Sequence, residues 1–217
     1  MNGAIIAALN EAETIHRLVK SLKNQGLEVC VIDDGSTDGT EYLAKDAGAD
    51  VIRHNKPLGI GRSLRDGWYY AINKGWVRTV QIDAGGSHDP QDIKRIFTSG
   101  TDITIGSRFM PYSKYIGRHW RALASRIVAH ALNFATRQKI TDWTSGYRVF
   151  SRRALDSLVN VNYMTNMHTW QIEVLNAGIE KGLTVSEFPI TYRSGNSTMK
   201  LSTVDDLIKV YLWILHR

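Results

Sequence analysis

Within the first hundred residues, short apolar runs alternate with amphipathic stretches, and that rhythm limits the folds open to the chain. Apolar runs over 4–9, 28–33, 50–53, 77–83 and 101–106 read as strands. The stretches 12–23 and 60–74 read as helices, with a third starting near Asp38 and a fourth at Pro90, whose ring suits a first helical position. In 12–23, Ile15, Leu18, Val19 and Leu22 fall on one face. A βαβα order predicts an α/β fold with a mostly parallel central sheet flanked by helices. Ligands meet such sheets beyond the carboxyl ends of the strands. Asp33, Asp34 and Asp83 fall there.

After residue 107 the rhythm changes. Residues 109–118 read as a mobile loop, 120–137 as a long amphipathic helix with Leu123, Ile127, Ala131 and Phe134, and 182–190 as a strand. A terminal amphipathic helix is expected over 203–216, with an apolar face that suits either packing on the sheet or contact with a membrane surface. Nothing resembling a repeat or linker divides the 217 residues, so one domain is expected over 1–217, with a change of character between its halves 1–106 and 107–217. Cys30 lies in an apolar run and is expected in the core, as are Trp68, Trp76 and Trp120. The first residues enter a strand without a basic, hydrophobic leader, and no window is long and apolar enough to span a bilayer. A cytoplasmic protein is expected, peripheral at the membrane face if the terminal helix makes the membrane contact. The net charge of +6 favours a phosphate-bearing partner, whether nucleotide, lipid headgroup or nucleic acid.

Turn and cap chemistry accounts for Gly35, Ser36 and Asp38 in the segment DDGSTDGT at 33–40, but leaves two adjacent carboxylates that require a ligand or cation. With Ala7-Ala8-Leu9-Asn10-Glu11 before it, this segment resembles the start of family 2 glycosyltransferases of the GT-A (Rossmann-like) fold. Later segments, IDAGGSHDP at 82–90, IGSRF at 105–109, DWTSGYRVFSRRAL at 142–155, WQIEVL at 170–175 and EFPITYRSGNSTMKLS at 187–202, resemble the dolichyl-phosphate mannose synthases and other polyprenyl-phosphate glycosyltransferases. The resemblance covers nearly the whole chain in order. It implies donor binding by Asn10, Glu11, Asp33, Asp34, Asp83, Ala84, Arg193 and Ser197. It implies acceptor binding by Arg108, Arg121, Arg126, Asp142 and Ser145, and chemistry by Asp83, Arg148, Arg193 and Lys200.

Two departures qualify the match. The family's metal-binding Asp-x-Asp reads Asp83-Ala84-Gly85, so Mg²⁺ or Mn²⁺ would find one carboxylate where two are usual. The closing loop keeps its residue types, Arg193, Ser197 and Lys200, but not their spacing. The resemblance implies an inverting transferase moving a hexose from GDP-mannose or a UDP-sugar to a polyprenyl phosphate, with the arginines holding the acceptor phosphate. Two alternatives remain: a transferase acting on a hydroxyl, such as a hydroxymethylated base in DNA, with Asp83, His88 or Asp142 as base, and a nucleotide-sugar-binding protein without turnover. Glu173 is expected to pair with a basic residue.

Overall fold

A computed structural model describes residues 1–167, 169–194 and 201–215, with the side chains of 201–204 left out. The strands are β1 (Asn2–Ala8), β2 (Glu28–Asp33), β3 (Asp50–Arg53), β4 (Arg78–Gln81), β5 (Ile103–Ser107), β6 (Lys114–Ile116), β7 (Arg148–Ser151), β8 (Val185–Pro189) and β9 (Thr191–Arg193). The α-helices are α1 (Ala12–Lys23), α2 (Thr40–Asp46), α3 (Ile60–Asn73), α4 (Ile93–Ile96), α5 (His119–Thr136), α6 (Arg152–Leu158), α7 (Trp170–Glu180) and α8 (Leu201–Leu215), with a 3₁₀ turn at Pro90–Asp92 leading into α4.

Seven strands form one sheet in the order β3-β2-β1-β4-β7-β5-β8, and β6 pairs with β9 in a separate ribbon. Within the large sheet only β7 runs antiparallel, wedged between β4 and β5. Alternation along β1 splits the core between two faces. Ile5, with Cys30 and Ile32, packs against α3 and the later helices, whereas Ala4, Ile6 and Ala8 pack toward α1 and α2. Helices therefore cover both faces, as a parallel sheet requires. The four apolar residues of α1 are all buried, as its spacing predicts. Cys30 is fully buried, and burial pushes its thiol up to about 12.

The segment expected to be a mobile loop instead contributes β6. Trp120, expected in the core, is 51% exposed, while Trp68 and Trp76 are fully buried. Gly67 marks where α3 lies closest to the sheet: a Cβ there would fall 2.5 Å from a methyl of Ile5 and 2.8 Å from one of Ile32. Gly67→Ala is expected to cost about 1–3 kcal/mol through overpacking, read as a lower urea midpoint with an unchanged slope. An unaltered midpoint would show that α3 moves outward freely.

Candidate active site

The DDGSTDGT turn closes over the start of α1. Ser36 Oγ accepts from Asn10 N at 2.9 Å, Thr40 Oγ1 from Glu11 N at 2.8 Å and an Asp38 carboxylate oxygen from Ala12 N at 3.1 Å. Backbone donors that would be orphaned at a helix start are thus satisfied by one loop. Asn10, in a left-handed conformation with φ 57°, accepts from Thr37 N at 2.9 Å.

The two adjacent carboxylates find their compensation inside the protein. Asp33 is fully buried, 2.7 Å from the Arg53 guanidinium, and its other oxygen accepts from Ser36 N at 2.8 Å. Asp34 meets His54 Nδ1 at 2.7 Å and accepts from Leu58 N at 2.8 Å and Gly59 N at 2.9 Å. Burial acts to raise the Asp34 pKa, but the bonds from His54 and the two amides outweigh it and hold the group below its ordinary value. Neither carboxylate needs an external ligand, and neither lines the cleft described next.

That cleft, of about 640 Å³, opens at the carboxyl ends of the parallel strands. Glu11 follows β1, Asp83, Ala84, Gly85, Ser87 and His88 follow β4, and Arg108 follows β5. Because β7 is reversed, residues preceding it, Thr144 and Gly146, reach the same place. Asp83 Oδ2 lies 3.1 Å from His88 Nε2, and the buried His88 ring sits against Tyr147 and Tyr192, with centroids 4.9 and 5.1 Å away. Burial raises the Glu11 pKa, and the nearby Asp83 charge adds to the shift despite the bond from Thr14.

Arg108 is clamped by Asp142, with Nε and Nη2 each 2.7 Å from a carboxylate oxygen. It also faces the rings of Phe109 and Tyr192 at 5.0 and 5.2 Å. Burial acts to lower the Arg108 pKa, but Asp142 outweighs it and the guanidinium stays charged. Burial acts to raise Asp142, and Arg108, with the backbone amides of Arg108 and Thr144, holds it ionised. Asp142 is fully buried, so it orients Arg108 and is not placed to serve as a base.

Further lining comes from Arg121, Ala124, Ser125 and Val128 on α5, from Met167, Thr169, Gln171 and Ile172 around the start of α7, from Leu207 on α8, and from Ile60 and Tyr115. Tyr115, Thr144, Gln171 and Tyr192 went unnoticed in the sequence. Tyr192 alternates along β9 with Arg193, a hint that a two-residue period could have supplied.

Several expected site residues lie elsewhere. Arg148 is fully buried and donates to the backbone carbonyls of Gln171 at 2.7 Å and Trp143 at 2.8 Å. Burial pushes its pKa down to about 10, and its place is in β7 between β4 and β5, behind the cleft wall rather than in its lining. Ser145 is buried and donates to Gly106 O at 2.7 Å. Arg126 is exposed and stacks on Phe109, and the exposed Arg193 is held through its backbone amide to Ser87 O at 2.8 Å. Ser197 and Lys200 lie outside the described residues. Among the described residues Glu173 pairs with no base: it accepts from the amides of Met164 and Thr165 and from the Thr165 hydroxyl, fixing the turn before α7.

The described residues do not make a protein-held divalent site. Asp83 already engages His88, and a Cβ on Gly85, where a second acid would stand, falls 3.3 Å from Glu11 Oε1. Among the described residues no three His, Cys, Asp or Glu side chains converge on a cation position.

Comparison with known proteins agrees with the geometry. Polyprenol monophosphomannose synthase of Mycolicibacterium smegmatis is 30% identical over 96% of this chain and 85% of its own length. Undecaprenyl-phosphate mannosyltransferase of Micrococcus luteus is 26% identical over 96% and 92%. Glucosyl-3-phosphoglycerate synthase of Mycobacterium tuberculosis, solved with UDP, superposes with a TM-score of 0.74 over 99% of this chain and 78% of its own, at 21% identity, which establishes a shared fold. The Glycosyl transferase family 2 profile matches residues 4–159, so the chain belongs to that family and is a glycosyltransferase.

Proposed function

We propose that the protein transfers a hexose from a nucleotide-sugar to a polyprenyl phosphate, inverting the anomeric carbon in one displacement. The observation that carries this reading is the mixed lining of the cleft. Glu11, Asp83, His88, Arg108 and Arg121 offer charge and hydrogen bonds, while Ile60, Val128, Met167, Ile172 and Leu207 offer apolar surface in the same cavity. An acceptor with an anionic head and an isoprenoid tail needs both. The names of the two curated relatives, a polyprenol and an undecaprenyl-phosphate enzyme, support the same acceptor.

A phosphate acceptor is already anionic and needs positioning rather than a base. One of its oxygens attacks the sugar C1 as the bond from C1 to the donor diphosphate breaks, and the nucleoside diphosphate leaves with both bonding electrons. Arg108, held rigid by Asp142, and Arg121 would place the acceptor phosphate, and Asp83 would face the positive charge developing on the sugar. Division of the domain into a donor half before residue 107 and an acceptor half after it follows from this assignment. Solved relatives of the same fold carry Mn²⁺ with UDP. Should Mg²⁺ or Mn²⁺ serve here, the diphosphate and water would have to supply most of its oxygens. None of the relatives named above is described as acting on nucleic acid.

Incubation with radiolabelled GDP-mannose or UDP-glucose and a polyprenyl phosphate, with and without Mn²⁺, is expected to carry label into the organic phase. Label passing instead to a water-soluble hydroxyl acceptor such as phosphoglyceric acid would overturn the lipid reading.

A further inference from the structure

The outward face of α5 is its apolar one. Trp120, Leu123, Ile127 and Phe134 are 51%, 60%, 62% and 81% exposed. At 100° per residue they fall, with the exposed His130, within an arc of roughly 80° along an 18-residue helix. Ala129 and Leu132, on another face, are buried in the core, and Arg121, Ala124, Ser125 and Val128 line the cleft. A row of large exposed side chains on one helix marks a binding surface rather than ordinary scatter.

Charge identifies what covers it. From residue 103 to residue 141 the chain has seven lysines and arginines and no aspartate or glutamate. Lys114, Arg118, Arg126, Arg137 and Lys139 are exposed around the stripe. Two copies of such a surface would repel each other, so a self-paired dimer is disfavoured. An anionic bilayer satisfies both features: the apolar row enters the acyl boundary while the cations meet lipid phosphates. No helix among the described residues is long and apolar enough to cross a membrane, so the contact lies in the interface plane.

We propose that α5 docks the protein on an anionic lipid surface through Trp120, Leu123, Ile127 and Phe134. Docking would bring the cleft, lined by the same helix, to the headgroup level. This deepens the polyprenyl-phosphate reading, and rests on it only for what is collected there. Adjacent α8, expected from sequence to make such contact, divides its apolar residues: Val210 and Ile214 are buried, while Ile208, Leu212 and Leu215 remain exposed.

The test is cosedimentation with phosphatidylcholine vesicles, with and without phosphatidylglycerol. The wild-type chain is expected to bind the anionic vesicles, less so as salt rises. Leu123→Glu with Ile127→Glu should lower partitioning about tenfold or more, and Phe134→Glu alone severalfold. Tyr42→Glu, at an exposed position of α2 on the other side of the sheet, should leave partitioning unchanged. All these positions are solvent-facing, and a thermal melt confirms that each variant folds. Absent binding by the wild type, or equal binding by the α5 variants, would overturn the proposal, as would a wild-type dimer that the paired variant dissociates without any vesicle binding. Transfer to a short, water-soluble prenyl phosphate separates the two readings. Vesicle binding without any such transfer would sink the acceptor assignment and leave the docking surface standing, whereas transfer without vesicle binding would do the reverse.

Discussion

Asp142→Ala is expected to destabilise the fold by about 2–4 kcal/mol, because it takes the counter-charge from a largely desolvated Arg108 guanidinium. Asp142 is fully buried and the Arg108 side chain is 12% exposed at the cleft wall, and the carboxylate also accepts from the backbone amides of Arg108 at 3.0 Å and Thr144 at 3.2 Å. Removing it leaves two amides unpaired and a guanidinium with only the Thr144 hydroxyl and the Phe109 and Tyr192 rings beside it. Arg108→Ala should cost a similar amount by stranding the carboxylate. The double variant should lie well short of the sum, since neither charge is then left alone. Urea unfolding of the four proteins measures that cycle, and additive losses would show that the clamp carries no coupling. The sign with pH is fixed by the lowered Asp142 pKa: its contribution is present above the unfolded carboxylate value of about 3.9 and is lost as pH falls through the lower folded value. Asp142→Ala lacks this titration, so its stability, lower at neutral pH, should fall less steeply with pH at the acid end than that of the wild type. Transfer should fall even in the folded fraction, because Arg108 lines the cleft and Asp142 sets its direction.

The same pair shows where sequence reading stops. Both residues stand in segments that carry the family resemblance, yet spacing along the chain does not reveal that they meet. Asp33 and Asp34 illustrate the limit more sharply. Two neighbouring carboxylates demand compensation, and the compensating groups, Arg53 and His54, come from the end of β3 and just beyond it, twenty residues away. Local elements were more legible. Strands β2 and β3 and helix α1 have the bounds that their patterns predict, because each carries a clear apolar period on an element bounded by turns. Helix α7 escaped because nine of its residues, from Trp170 to Gly178, are buried, which erases the period that marks an amphipathic helix. The four-residue β7 escaped because its antiparallel insertion between β4 and β5 is a tertiary choice that no local pattern encodes. Arg148 was misassigned for a related reason: an arginine in a strand reads as a ligand-binding group until its carbonyl partners are seen. Periodicity correctly marked α5 as amphipathic, but it could not say which face turns inward.

Asp83→Asn is expected to lower kcat by about 10²–10³-fold while leaving stability nearly unchanged. The side chain is 39% exposed just beyond the carboxyl end of the central strand β4, so little packing is at stake. Its direction is fixed, because His88 approaches one carboxylate oxygen at 3.1 Å and is itself wedged between Tyr147 and Tyr192. Asparagine keeps the shape and retains an oxygen for the His88 Nε2–H, and so removes chiefly the negative charge. In the proposed reaction that charge faces a sugar carbon growing positive as the diphosphate departs, so its loss should appear in kcat more than in KM. A second readout separates this role from a structural one. Burial, and then the charge of Asp83, raises the Glu11 pKa. Without the Asp83 charge one of those causes disappears, and the group should ionise at lower pH. The acid limb of the pH–rate profile should shift downward in the variant if Glu11 governs it. A kcat within threefold of wild type, with the acid limb in place, would remove Asp83 from the chemistry and assign it to holding His88 alone.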